Sequence, residues 1–99
     1  MTSVKILPLK HRKLKDDFYP IYLRIIHERV KKEYSLGFKC SDKDYDFKRL
    51  KYKKNITLNK QILRIELDVI EIINSLGDNF NYHSFEHKFF NKKKSHIIL

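Results

Sequence analysis

Residues 19–37 read YPIYLRIIHERVKKEYSLG, two runs of alternating apolar and polar residues that meet at His27, Glu28 and Arg29. A period of two over both runs predicts two antiparallel strands joined by a tight turn. The first strand covers residues 19–27, with Pro20 at its start, where a missing N–H is tolerated. On it, Ile21, Leu23 and Ile25 share one face and Tyr22, Arg24 and Ile26 the other, because side chains alternate along a strand. The second strand covers residues 30–36, where Val30, Tyr34 and Leu36 alternate with Lys31, Glu33 and Ser35. Lys32 has the parity of the apolar set and is placed at the frayed turn end. No Asn-Gly or Asp-Gly pair fixes the turn type, so the register stays open to a one-residue slip that exchanges the two faces. Gly37 reads as a bulge or a strand end.

Upstream, VKILPL at residues 4–9 contains Pro8 and reads as an edge strand, followed by a mostly basic connection, HRKLKDD, at 11–17. Downstream, Phe38 and Cys40 prolong the extended chain, and Ser41 is expected to cap a short helical turn over Asp42, Lys43 and Asp44. Residues 47–55 (FKRLKYKKN) are expected to be a loop or extended linker. The clearest helix spans residues 58–76, with Thr57 as N-cap and Gly77 just past its end. Ile62, Ile65, Val69, Ile72, Ile73 and Leu76 form its core stripe, while Leu63, Leu67 and Ile70 widen it, implying burial on two sides or an exposed patch. A second helix is expected over residues 82–91, capped by Asn81, with Phe80 stapled onto Phe85. From Lys92 the sequence KKKSHIIL reads as a basic linker opening into another apolar segment. The predicted fold class is α+β: a three-stranded antiparallel sheet packed against one long C-terminal helix, with a short second helix. Residues 1–78 form the domain and 79–99 the short helix and linker.

Ninety-nine residues suffice for one modest core and exclude a large enzyme. With 41% hydrophobic and 34% charged residues the chain is too apolar for a disordered tail and too charged for a membrane protein. No apolar run approaches the roughly 20 residues of a bilayer span, and the N-terminus lacks the pattern of a signal peptide. The single cysteine, Cys40, reads as a small, partly buried apolar residue. The net charge of +10 points to a polyanionic partner. It is concentrated: residues 1–54 hold 16 cations and 7 anions, residues 55–99 only 6 and 5.

The order of these parts resembles the N-terminal arm-type DNA-binding domain of Bacteroidetes-type tyrosine recombinases, the phage and transposon integrase family. YPIYLRI, KEYSLG, DKDYDF and the helix LNKQILRIELDVIEIINSL fall in the family's order, and FNYHSFEHKFFNKKK is similar to its link into a core-binding domain. Tyr45 stands where the family prefers Trp. The resemblance covers nearly the whole chain and implies a sheet laid in the major groove of double-stranded DNA. It also implies a role in integration and recombination, a cytoplasmic, nucleoid-associated protein, and contacts with other recombinase domains or subunits. The family's catalytic Arg, His and Tyr belong to a C-terminal domain, so the chain is expected to be a non-enzymatic N-terminal piece of a longer recombinase, without cofactor.

The residues point the same way. If the helix covers Ile21, Leu23 and Ile25, then Tyr22, Arg24, Lys31, Glu33 and Ser35 face outward together. Arg24, at mid-strand, is suited to a bidentate contact with guanine. Lys31 suits either bases or phosphates, and Tyr22, Glu33 and Ser35 suit reading bases or orienting cations. For Glu33, a cross-strand ion pair with Arg24 or a neighbouring Lys stands beside base contact as an alternative. Lys5, His11, Arg12, Lys13, Lys15 and Arg29 suit phosphates, as does the 48–54 run if it is more than a solvated segment. His83, Glu86 and His87 share a helix face but lack the order of a zinc motif, and no metal is expected. An RNA-binding domain and a protein-interaction module with an incidental basic surface remain the alternatives.

Overall fold

A computed structural model describes the backbone of residues 2–97 and the side chains of residues 2–91. Strands β1 (Thr2–Pro8), β2 (Tyr19–His27) and β3 (Val30–Cys40) form one antiparallel sheet in that order, with β2 central. A two-stranded hairpin follows, β4 (Tyr45–Asp46) against β5 (Lys51–Tyr52), then helices α1 (Ile56–Leu76) and α2 (Tyr82–Ile97). The predicted α+β class holds.

The register between β2 and β3 does not slip. His27 pairs with Val30 across Glu28 (φ 48°) and Arg29 (φ 71°), a two-residue turn with both central residues left-handed, as in type I′. Its right-handed twist matches that of the strands. Two tethers flank it. The Tyr82 hydroxyl of α2 bonds the carbonyls of Ile25 and Val30, and Thr2 Oγ1 lies 2.7 Å from His27 Nδ1.

Further along β3, Ser35 pairs with Tyr22 but Lys39 pairs with Pro20, so four steps on β3 oppose two on β2. Gly37 (φ 81°) sits in this bulge. A shift of two residues preserves parity, so Leu36 and Cys40 stay buried on the core side, and β3 continues beyond Gly37 rather than ending there.

Ile21, Leu23 and Ile25 are fully buried, as their alternation predicts, under Val69 and Ile72 of α1. Phe80, Phe85 and Phe89 belong to the same core. Phe80 packs on Phe85 at 6.1 Å, and Asn81 Oδ1 accepts the Ser84 amide at 2.8 Å, so the expected cap and staple both form. α2 runs past the expected end at Asn91 to Ile97: lysines are good helix formers, and no glycine or proline stops them. Residues 98 and 99, the tail of the expected apolar segment, lie outside the described residues.

Three local expectations are corrected. Asn55, not Thr57, caps α1: its Oδ1 accepts the Leu58 amide at 3.0 Å, and the helix starts at Ile56. The turn after Cys40 is held by the Asp44 carboxylate, which accepts the Ser41 amide at 2.7 Å, and not by a Ser41 hydroxyl cap. Residues 47–55 are no loose linker. Tyr45 and Tyr52 are buried edge to face at 5.2 Å, the Tyr52 hydroxyl donates to the Lys39 carbonyl at 2.6 Å, and the Asn59 side chain bonds both the N–H and the C=O of Tyr52. Two aromatic residues spaced among lysines thus fold the basic run onto the first turn of α1.

Candidate nucleic-acid interface

Both helices pack on one side of the sheet, leaving the other side open. Strand alternation and the observed register put Ser3, Lys5 and Leu7 of β1, Tyr22, Arg24 and Ile26 of β2, and Lys31, Glu33 and Ser35 of β3 on that side. Tyr22, Arg24, Lys31, Glu33 and Ser35, expected outward, are therefore brought together. At the centre Lys5, Arg24 and Glu33 occupy one rung across all three strands.

Arg24 Nε and Nη2 both donate to Glu33 Oε2, each at 2.9 Å. The ion pair weighed against base contact is present. It does not consume the guanidinium: Nε and one N–H of Nη2 are engaged, while Nη1 and the outer N–H of Nη2 have no partner among the described residues. That terminal edge carries two parallel donors, the fork that a guanine O6/N7 edge accepts. Glu33 holds the fork in one orientation, which limits the rotamer freedom lost when a ligand binds.

Toward the β1–β2 connection, Arg12 Nη1 donates to the Tyr22 hydroxyl at 3.2 Å, with its guanidinium carbon 5.2 Å from the ring centre. Arg12, expected in a loop, is thereby fixed at the margin of the open face. There a shallow depression of about 460 Å³ opens at the bulge, lined among others by Arg12, Tyr22, Ser35 and Lys39. Lys39 lies beyond residue 36, where the sequence pattern ends the second strand, although the parity of Leu36, Phe38 and Cys40 carries through. Its ammonium is 2.7 Å from Asp16, whose carboxyl that hydrogen bond holds below its usual range.

The remaining expected residues are dispersed. His11, Lys13 and Lys15 are exposed around the β1–β2 connection, while Arg29 and Lys31 sit at the opposite end of the sheet, in and beside the hairpin turn. Lys13 pairs with Asp17 at 3.4 Å, and that hydrogen bond raises its pKa. Lys5, His11, Lys15, Arg29 and Lys31 make no ion pair or side-chain hydrogen bond among the described residues. Lys32, on the helix side as its parity implies, bonds Glu86 of α2 at 3.2 Å. A hollow of about 320 Å³ at the start of α1 gathers Lys39, Lys43, Lys53 and Lys54, so part of the basic run forms a patch beside the open face.

Comparison with known protein families assigns the chain. The model of the arm DNA-binding domain matches residues 7–88. The chain belongs to that family. No curated protein and no solved structure gave a match. The match bears out the resemblance to the arm-type domain of tyrosine recombinases and makes DNA the partner class of a non-catalytic binding module. Residues 7–88 take in all of β2 and β3, both hairpins and α1, together with the first turns of α2.

Among the described residues no group of three or more His, Cys, Asp or Glu is placed to hold a metal ion. Glu86, between His83 and His87, instead accepts from the Tyr34 hydroxyl at 2.7 Å, a bond that lowers its pKa. No helix among the described residues is long and apolar enough to cross a membrane.

Proposed function

We propose that this arm domain reads the sequence of double-stranded DNA by laying the open face of its sheet in the major groove, as the N-terminal module of a tyrosine recombinase acting in DNA integration and recombination. The observation that carries this reading is the Glu33-braced Arg24 fork at the centre of an uncovered three-stranded face. The major groove is about 12 Å wide and admits a β-ribbon, and the eight steps of β2 from Tyr19 to His27 span about 26 Å. Cations at both ends of the sheet therefore reach phosphates on either side of the groove while the centre meets base edges. Arg24 reads guanine, with Tyr22, Glu33 and Ser35 as readers or braces. Lys5, His11, Arg12, Lys13, Lys15, Arg29 and Lys31 set position through the backbone.

In the longer protein, residues 1–78 act as the arm and the chain from 79 onward, after packing its first aromatic turns on the sheet, leads to a core-binding domain. DNA as substrate makes the bacterial cytoplasm the working compartment.

The test is binding by fluorescence anisotropy to a duplex selected from a random pool, to a scrambled duplex and to an RNA duplex, at two salt concentrations. Preference for the selected duplex at both is the expected result. Equal binding to RNA favours an RNA-binding role, and no binding to any nucleic acid favours a protein-interaction module.

A further inference from the structure

Helix α1 buries one face, through Val69 and Ile72 with Leu58, Ile62, Ile65 and Leu76 packed beside them, yet leaves large apolar side chains on the opposite one. Ile56 is 67% exposed, Leu63 52%, Leu67 57% and Ile70 40%. These four fall on a heptad seam: Ile56, Leu63 and Ile70 recur every seven residues at one position, and Lys60, Leu67 and Asn74 at the other, alternating by four and three. Isolated exposed leucines need no explanation, but a continuous stripe at coiled-coil spacing does.

Charge along the same helix says what covers it. Its cations, Lys60 and Arg64, lie in the N-terminal half, and its anions, Glu66, Asp68 and Glu71, in the C-terminal half. A parallel neighbour of the same sequence sets like charge on like, whereas an antiparallel one sets opposite charges together. The register that stacks Leu67 on Ile70 of a second copy, and Leu63 on its Asn74, also brings Arg64 against Glu71 of that copy, twice by two-fold symmetry. Arg64 and Glu71 are exposed and form no ion pair among the described residues. α1 is also the stretch where the strong basic excess of residues 1–54 has ended, so two copies meet there with the least repulsion.

We infer that the exposed face of α1 is a self-association surface on which two copies of this chain pair antiparallel, leaving both open sheet faces available.

Sedimentation equilibrium of the chain without DNA, near physiological salt and up to about 1 mM, reads this directly, because a Kd near 1 mM is half-saturated there. A monomer–dimer equilibrium is expected. L67E, at an exposed position that leaves the fold intact by circular dichroism, weakens it about tenfold or more. R64E weakens it also, and the double variant R64E/E71R restores it. A monomer throughout, a dimer indifferent to L67E, or failure of E71R to rescue R64E each overturns the inference. DNA binding by monomeric L67E is a separate readout, so loss of the dimer does not touch the reading of the sheet face.

Discussion

Arg24 and Glu33 face each other directly across β2 and β3, with both Nε and Nη2 of the arginine 2.9 Å from one carboxylate oxygen. A half-buried cross-strand pair of this kind contributes only about 0.2–1 kcal/mol to stability. Its larger consequence is orientation of the free guanidinium edge. Arg24→Ala is expected to leave the fold unchanged and to remove roughly 1–3 kcal/mol of discrimination at one base pair. Glu33→Gln is expected to lose part of that discrimination while binding to arbitrary duplex strengthens, since a negative charge leaves the face. Competition with point-substituted duplexes measures both; unchanged preference in Arg24→Ala removes Arg24 from the reading role.

The flanking cations are expected to behave differently. Lys5→Ala and Lys15→Ala each weaken all duplexes alike and reduce the slope of log K against log salt by about 0.9. Lys13→Ala has a smaller effect, because Asp17 already shares its charge. A salt titration checks this, and a loss confined to one sequence contradicts phosphate contact.

Glu86 links α2 to the sheet through Tyr34 and Lys32, and those bonds favour its ionised form. With the folded pKa below the ordinary value of 4.5, its stabilisation is complete above that pH and is lost as pH falls through the folded pKa. Glu86→Gln is therefore expected to be less stable than wild type near neutrality and to converge with it in acid. Urea unfolding at neutral and acidic pH measures the difference, and a constant gap refutes the linkage.

Phe85 is fully buried and stacks on Phe89 at 5.3 Å. Phe85→Ala is expected to cost about 3–5 kcal/mol, a large share of the stability of a domain this size. Thermal unfolding followed by circular dichroism decides it; a loss under about 1 kcal/mol makes the first turns of α2 dispensable to the core.

Cys40 is fully buried, and burial pushes its thiol pKa up to about 12. In the native protein it is expected to react with a disulfide reagent orders of magnitude more slowly than after unfolding, because the thiolate is the nucleophile. Rapid labelling at pH 8 without denaturant overturns its placement.

The alternation in residues 19–37 was enough to name the core set, the outward set and the strand ends of β2, because a half-buried strand writes its two faces into a period of two. It was not enough for the lysine-rich stretch before α1. There the apolar contribution comes from Tyr45 and Tyr52, seven residues apart, and only their contact makes a hairpin of what reads as linker. The cap of α1 was misplaced for a related reason: Asn55 and Thr57 are both good caps, and the Asn59 clasp on Tyr52 sets where the helix begins.

The sequence by itself determined the α+β class, the oily and charged faces of the central hairpin, the basic bias of its first half and the cap and staple of α2. Each depends on neighbours a few residues apart, where periodicity and propensity act. Only the tertiary structure decided that the register does not slip, that Lys39 joins the open face and that Glu33 grips Arg24. These depend on turn geometry, on a bulge and on one rotamer choice, whose energies come from partners far along the chain or across a strand and leave no period behind.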